Sequence, residues 1–211
     1  MTNVSVLLAN KRTVLSAMHT IAEANPESVA AELAKIYHPQ AQWRGSHPWN
    51  ELQGVEAIAN TVWQPLLHSF PDLERRDDIV IGGEYEGRDY VGAVGQLVGS
   101  FKHDWNGMPA TDQVISLRYG EFHQLVGGKI IQSSVLVDIL DFIRQAGFWP
   151  LAPSLGQEGP WHGPRDKDGL VLTAQPAETS AASLKLTMDM QASLGAYDDS
   201  AGGGRDGLLN M

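Results

Sequence analysis

Apolar residues recur at spacings of three and four from Val4 to Ala24. Val4, Leu7, Leu8, Leu15, Met18, Ile21 and Ala22 share one face of a predicted helix. Asn25-Pro26 breaks the run. Pro26 then opens a second predicted helix, PESVAAELAKIY, with Glu27 in the first turn, where the helix dipole favours an anion. That helix is expected to end near His38-Pro39. A short strand over 41–46 and a polar loop, HPWNELQ, follow. Gly54 to Phe70 reads as a third helix, with Val55, Ile58, Val62, Trp63 and Leu66 in its apolar stripe. Pro65 lies inside that stripe and predicts a kink or break.

From Leu73 the period changes to two. Residues 73–101 read as two strands around a polar turn at 86–89, and Gly92, Gly95 and Gly99 suggest that the second strand bends or bulges. A loop over 102–110 leads to the stretch that organises the chain, Thr111 to Gly147. It reads as two long strands around Gly127-Gly128, a pair free to take the positive φ of a two-residue hairpin turn, followed by a helix over 139–146. That turn places His123 opposite Gln132, Glu121 opposite Ser134, Tyr119 opposite Leu136 and Leu117 opposite Asp138, all on one face. The other face carries Val114, Phe122, Ile131, Ser133, Val135 and Val137 and is apolar. The mixed face either lines a pocket or meets water. After Trp149 the chain is dense in Pro and Gly without periodicity. Residues 181–195 are compatible with an amphipathic helix, and the last residues are flexible by composition.

These elements predict an α+β domain over 1–149, a curved antiparallel sheet packed on three helices from the N-terminal half, and a Pro/Gly-rich extension over 150–211. Such a cone has an internal cavity at its open end.

Net charge is -10, which opposes non-specific binding to nucleic acid and to anionic membrane surfaces. No apolar run is long enough to span a bilayer, and the N-terminal residues have the wrong charge order for a secretory signal, so a soluble cytoplasmic protein is expected. There is no cysteine, hence no disulfide, thiolate nucleophile or Cys-based metal site. His47, His68, His103 and His123 are scattered, so no metal is expected. The Gly-rich stretches lack a phosphate-loop lysine.

Trp63-x-x-Leu66-x-x-x-Phe70-Pro71-Asp72-Leu73, preceded by Leu52-x-Gly54-x-x-Ala57-Ile58, resembles the third-helix signature of the SnoaL-like polyketide cyclases. Gly128-Lys129-Ile130, Asp138 and Arg144-Gln145-x-Gly147 resemble the end of the same domain, so the likeness spans about 5–147. Some relatives carry two such domains, and Leu184 to Tyr197 is compatible with the first helix of a truncated second copy. The resemblance implies an NTF2-like cone, a homodimer through the sheet and cofactor-free acid/base chemistry. Asp138 matches the family's acid/base Asp and His123 roughly matches its His, with spacing one residue longer. The implied ligand is a hydrophobic, polyketide-like carbonyl compound, handled by an aldol cyclase or isomerase. The alternative is a non-catalytic ligand-binding or protein-interaction module, since the fold hosts both.

Asp138 sits in an apolar segment. It would have a raised pKa if it pointed inward, and the alternative is an N-cap of the following helix. His123 is either an acid/base group or a partly exposed strand residue. It lies roughly 20 Å from Asp138 along straight strands. Glu121 either faces the ligand beside Tyr119 or pairs with Arg118 or Arg44. Trp43, Trp63, His68 and Trp105 either line the cavity or fill the core. Tyr37, His47 and Trp49 belong near the cavity mouth.

Overall fold

The computed structural model describes residues 4–153, 155–156 and 162–194. The first helix is α1, Val4–Ala22, and the second is α2, Val29–Ile36. Strand β1, Tyr37–Gly45, starts at once, because Pro39 drives the residue before it into extended backbone. The polar loop is shorter than expected and ends in a three-residue strand, β2, Glu51–Gln53.

The third helix is divided, as Pro65 demands. It comprises α3, Val55–Ile58, a π-helical turn over Ala59–Trp63, and α4, Gln64–Ser69. Proline has no N–H to donate and crowds the carbonyl four residues back, and the wider turn relieves both problems.

Four long strands follow: β3, Glu74–Tyr85; β4, Arg88–Ser100; β5, Val114–Val126; and β6, Lys129–Val137. The sheet order is β2-β1-β6-β5-β4-β3. It is not wholly antiparallel, because β1 runs parallel to β6. A short helix, α5, Ile139–Gln145, closes the domain.

The expected turns form. Glu86-Gly87 and Gly127-Gly128 all have positive φ. The bulges lie elsewhere than expected. β4 pairs with β5 without interruption, whereas β3 shifts register between Asp77 and Ile79, and β6 accommodates Ile131 as an extra residue. The hairpin therefore keeps its predicted pairs only next to the turn. Beyond Ile131, His123 faces Ser133, Glu121 faces Val135 and Tyr119 faces Val137. Because side chains alternate, one extra residue exchanges the faces of β6. Ser133 is buried and Val135 and Val137 are half-buried, while Leu136 points to solvent. The mixed face of β5 is the interior one, carrying Ile115, Leu117, Tyr119, Glu121 and His123, all buried. Val114 and Phe122, read as an apolar face, are outside.

The first compact unit runs Met1–Leu172. Residues 162–172, read as extension, lie along the edge strand β3: the Val80 N–H donates to Gly169 O at 2.9 Å. Lys11 Nζ donates to Val171 O, and Arg12 Nη2 to Leu172 O at 2.8 Å. This covers an edge that would otherwise expose unpaired backbone groups. The second unit begins at Thr173 and contains α6, Ala177–Leu194, all of whose side chains are exposed. The expected helix over 181–195 falls within it except at residue 195; Tyr197 and the flexible end lie outside the described residues. No helix among the described residues is long and apolar enough to cross a membrane.

Candidate functional site inside the curved sheet

Strand register assembles the site in rows. Asp77, Gly95, Tyr119 and Val137 lie side by side across β3 to β6. Gly95 leaves the space that the Tyr119 phenol crosses. A Cβ there would lie 2.7 Å from Tyr119 Oη and 2.2 Å from Arg76 O. Tyr119 Oη thereby donates to Asp77 Oδ1 at 2.6 Å. In the next row, Ala93 leaves room beside Glu121.

Arg75 joins the two carboxylates. Its Nε and Nη2 donate to Asp77 Oδ1 at 3.0 and 2.7 Å, and Nη2 also reaches Glu121 Oε1 at 2.5 Å. Its guanidinium lies 4.4 Å above the Tyr119 ring. Behind Glu121, His123 Nε2 approaches Glu121 Oε1 at 3.3 Å without hydrogen-bond alignment. His123 Nδ1 and Ser133 Oγ share a 2.7 Å hydrogen bond, and Ser133 Oγ meets Tyr37 Oη at 3.0 Å. At the other end, half-exposed His19 on α1 reaches Asp77 Oδ2 at 2.7 Å.

Burial raises the Glu121 pKa, but the charge of Arg75 and its hydrogen bonds outweigh it, with His123 beside it acting in the same direction, and the carboxyl falls to about 2. Burial opposes the charge on Arg75, yet Glu121, Tyr119 and Asp77 raise its pKa above the usual guanidinium value. Burial is the main cause that holds the Tyr119 and Tyr37 phenols well above their ordinary range. The floor thus sets one guanidinium between two acidic side chains.

Above this floor stand four indoles: Trp43 on β1, Trp49 on the β1–β2 loop, Trp63 on the π-turn and Trp105 on the β4–β5 loop. Trp43 meets Trp49 edge-on at 6.1 Å, and Trp49 meets Trp105 at 5.8 Å. With Arg75, Tyr119 and Glu121 they enclose a cavity of about 40 Å³. Pockets for drug-sized ligands are typically ~300–1,000 Å³, so this one is nearly filled by its own walls.

Of the residues expected at the site, Trp43, Trp63, Trp105, Tyr119 and Glu121 are brought together, and His123 lies just behind them. Trp49 joins the cup, Tyr37 is buried beside Ser133, and His47 is exposed. His68 is elsewhere. It is exposed, stacked on His103 at 4.4 Å, and borders an outer cleft with Asp72 and Asn25.

Asp138 is not among the cavity residues. It caps α5, with Oδ1 accepting the Asp141 N–H at 3.0 Å and Oδ2 paired with Arg118. Burial acts to raise its pKa, but the Arg118 hydrogen bond, the Asp141 N–H and the Arg118 and Arg144 charges more than reverse this. The expected raised pKa gives way to the capping alternative. The expected partners of Glu121 also change: Arg118 serves Asp138 and Arg44 serves Glu51 at 3.3 Å, both away from the cone interior.

Arg75, Asp77, Ser133 and His19 were missed. Arg75 and Asp77 share the parity of Leu73 in a period-2 run, and two opposite charges on an apolar face were the available signal. Among the described residues no three His, Asp or Glu side chains are gathered as a metal-ligating set.

No family model matches the chain, and no curated protein matches it. Solved structures do. A candidate SnoaL-like polyketide cyclase from Jannaschia sp. CCS1 is 20% identical with a TM-score of 0.55, over 68% of this chain and 93% of its own. AclR, a candidate hydroxylase from Streptomyces galilaeus, is 16% identical with a TM-score of 0.58, over 71% and 91%. IdmH, a candidate polyketide cyclase from Streptomyces antibioticus, is 15% identical with a TM-score of 0.55, over 65% and 98%. At these identities the fold is what is shared, and chemistry has to be read from the site.

Proposed function

From the premise of a SnoaL-like, NTF2-like fold, we propose that this protein binds a neutral, hydrophobic carbonyl compound inside the cone. The ligand sits between the indole cup and the Arg75–Glu121 floor, and Asp138 takes no part. The observation that carries this reading is the charged, fully buried floor beneath four indoles. An apolar pocket with a few convergent polar groups is the usual form of a small-molecule site. A cavity of about 40 Å³ must widen to admit such a ligand. Trp49 is the wall that yields first, because its loop leads only to a three-residue edge strand.

An acid/base enzyme without cofactor is the second reading. Titratable groups gathered at a cavity favour it. Against it, Glu121 at about 2 is a poor general base near neutral pH while Arg75 holds it. The proposal includes a homodimer through the outer sheet face, where Ile81, Tyr85 and Phe122 are exposed around a groove of about 320 Å³.

Nile red, a neutral polycyclic carbonyl dye, tests the reading. The full chain takes it up saturably, one per protomer, and Asp138→Asn binds it within about twofold of the wild type, as expected of a cap outside the pocket. Absence of saturable uptake overturns the binding reading. Loss of uptake in Asp138→Asn returns that carboxylate to the site.

A further inference from the structure

Among the four cup indoles, Trp105 is the one whose N–H is wholly buried and without a hydrogen-bond partner among the described residues. It is 2% exposed, and its indole Nε1 is buried with no hydrogen-bond acceptor. Buried donors are nearly always paired, and one left unpaired carries its full desolvation penalty.

The indole is held firmly in this position. Trp105 and Met108 exchange backbone hydrogen bonds at 3.0 and 2.9 Å around Asn106-Gly107, both at positive φ. Asp104 O accepts from Ser69 Oγ at 3.0 Å, and Asp104 Oδ1 accepts the Ala110 N–H at 2.9 Å, tying the loop to α4 and to itself. The ring packs against Phe142 at 5.1 Å, Phe70 at 5.7 Å and Trp49 at 5.8 Å. A donor held by its loop hydrogen bonds and by Phe142 and Phe70, in the wall of a cavity, is preorganised for an acceptor brought from outside.

We infer that the Trp105 indole N–H is the donor by which the cone selects its ligand, and that its partner is a neutral acceptor oxygen of ketone, ester or amide type. Neutrality follows from the floor. The guanidinium in the cavity wall is already engaged by both Asp77 and Glu121, so an anionic oxygen entering the cavity would meet the Glu121 carboxylate with the Arg75 cation already taken. This inference rests on the cone-binding reading above and adds to it the specificity residue and the functional group recognised.

Acetophenone and ethylbenzene form the test, because both carry a two-carbon side chain on a phenyl ring and only acetophenone adds an acceptor oxygen. The full chain is expected to bind acetophenone about tenfold more tightly, the worth of one buried hydrogen bond. Trp105→Phe keeps an aromatic ring and removes the N–H. It is expected to bring the ratio to about one by weakening acetophenone alone. Should that variant not fold, the wild-type indole proton of Trp105 answers the same question: it shifts downfield with acetophenone and not with ethylbenzene. If neither probe binds the wild type, the cone-binding reading falls and this inference falls with it. If both bind alike, or Trp105→Phe keeps the tenfold preference, cone binding stands and the role of Trp105 is overturned.

Discussion

Glu121 keeps its charge at the bottom of an apolar cone because Arg75 is there to meet it. Glu121→Gln leaves Arg75 with Asp77 but removes its second carboxylate, so it is expected to lower stability by about 1.5–3 kcal/mol in urea unfolding, the range for a hydrogen bond to a charged group. The pH dependence has a definite sign. The Glu121 pKa is about 2 in the folded chain, below its ordinary 4.5. Its contribution is therefore complete above about pH 5 and lost as pH falls through 4.5 toward 2. Asp72 and Asp138 are also held low, so the comparison is wild type against Glu121→Gln: the variant's thermal midpoint falls less steeply across this range. Equal slopes would mean that Glu121 does not gain its partner on folding. Asp138→Ala is expected to cost only about 1 kcal/mol, the worth of an N-cap. From sequence these two acids were ranked the other way, because the flanking Val135-Leu136-Val137 made Asp138 look buried. Glu121 was placed on the correct face, but its partner lies 46 residues away on another strand.

The exchange of Asp138 for Glu121 originates one level up, in β6. The Gly127-Gly128 turn and both hairpin strands were legible from turn chemistry and period two. The extra residue at Ile131 was not, since a bulge leaves no compositional mark in a β-branched run. Helices were legible from their period, and the division at Pro65 from the absence of an N–H. The parallel pairing of β1 with β6 joins segments distant in sequence, and local pattern carries no sign of it. Gly92, Gly95 and Gly99 suggest bends or bulges in the sequence, yet Gly95 acts by close approach. Gly95→Ala is therefore expected to lose about 2–3 kcal/mol, since Arg76 O is backbone and cannot step aside. Gly83→Ala in β3 meets nothing within 4 Å and should be near neutral. Equal stabilities for the two variants would contradict the row that seats Tyr119 on Asp77.

The first compact unit leaves Ile81, Tyr85 and Phe122 exposed on its outer sheet face, an apolar patch that a second copy would cover. A sheet-face dimer is expected in sedimentation equilibrium at micromolar concentration, with Phe122→Glu shifting it to monomer; a monomeric wild type would refute the dimer. The unit's boundary at Leu172 was hidden because residues 162–172 pair through backbone carbonyls and carry no periodicity of their own. What this protein does depends on whether the cone opens. The most direct test is the indole N–H spectrum of ¹⁵N-tryptophan-labelled full chain, recorded while Nile red is added. Trp43, Trp49, Trp63 and Trp105 should shift together and saturate, while Trp149, outside the cup with its N–H directed to Ala152 O, stays in place. If the four cup indoles remain still while the dye binds, or only Trp149 moves, the ligand is not in the cone and the function proposed for it is wrong.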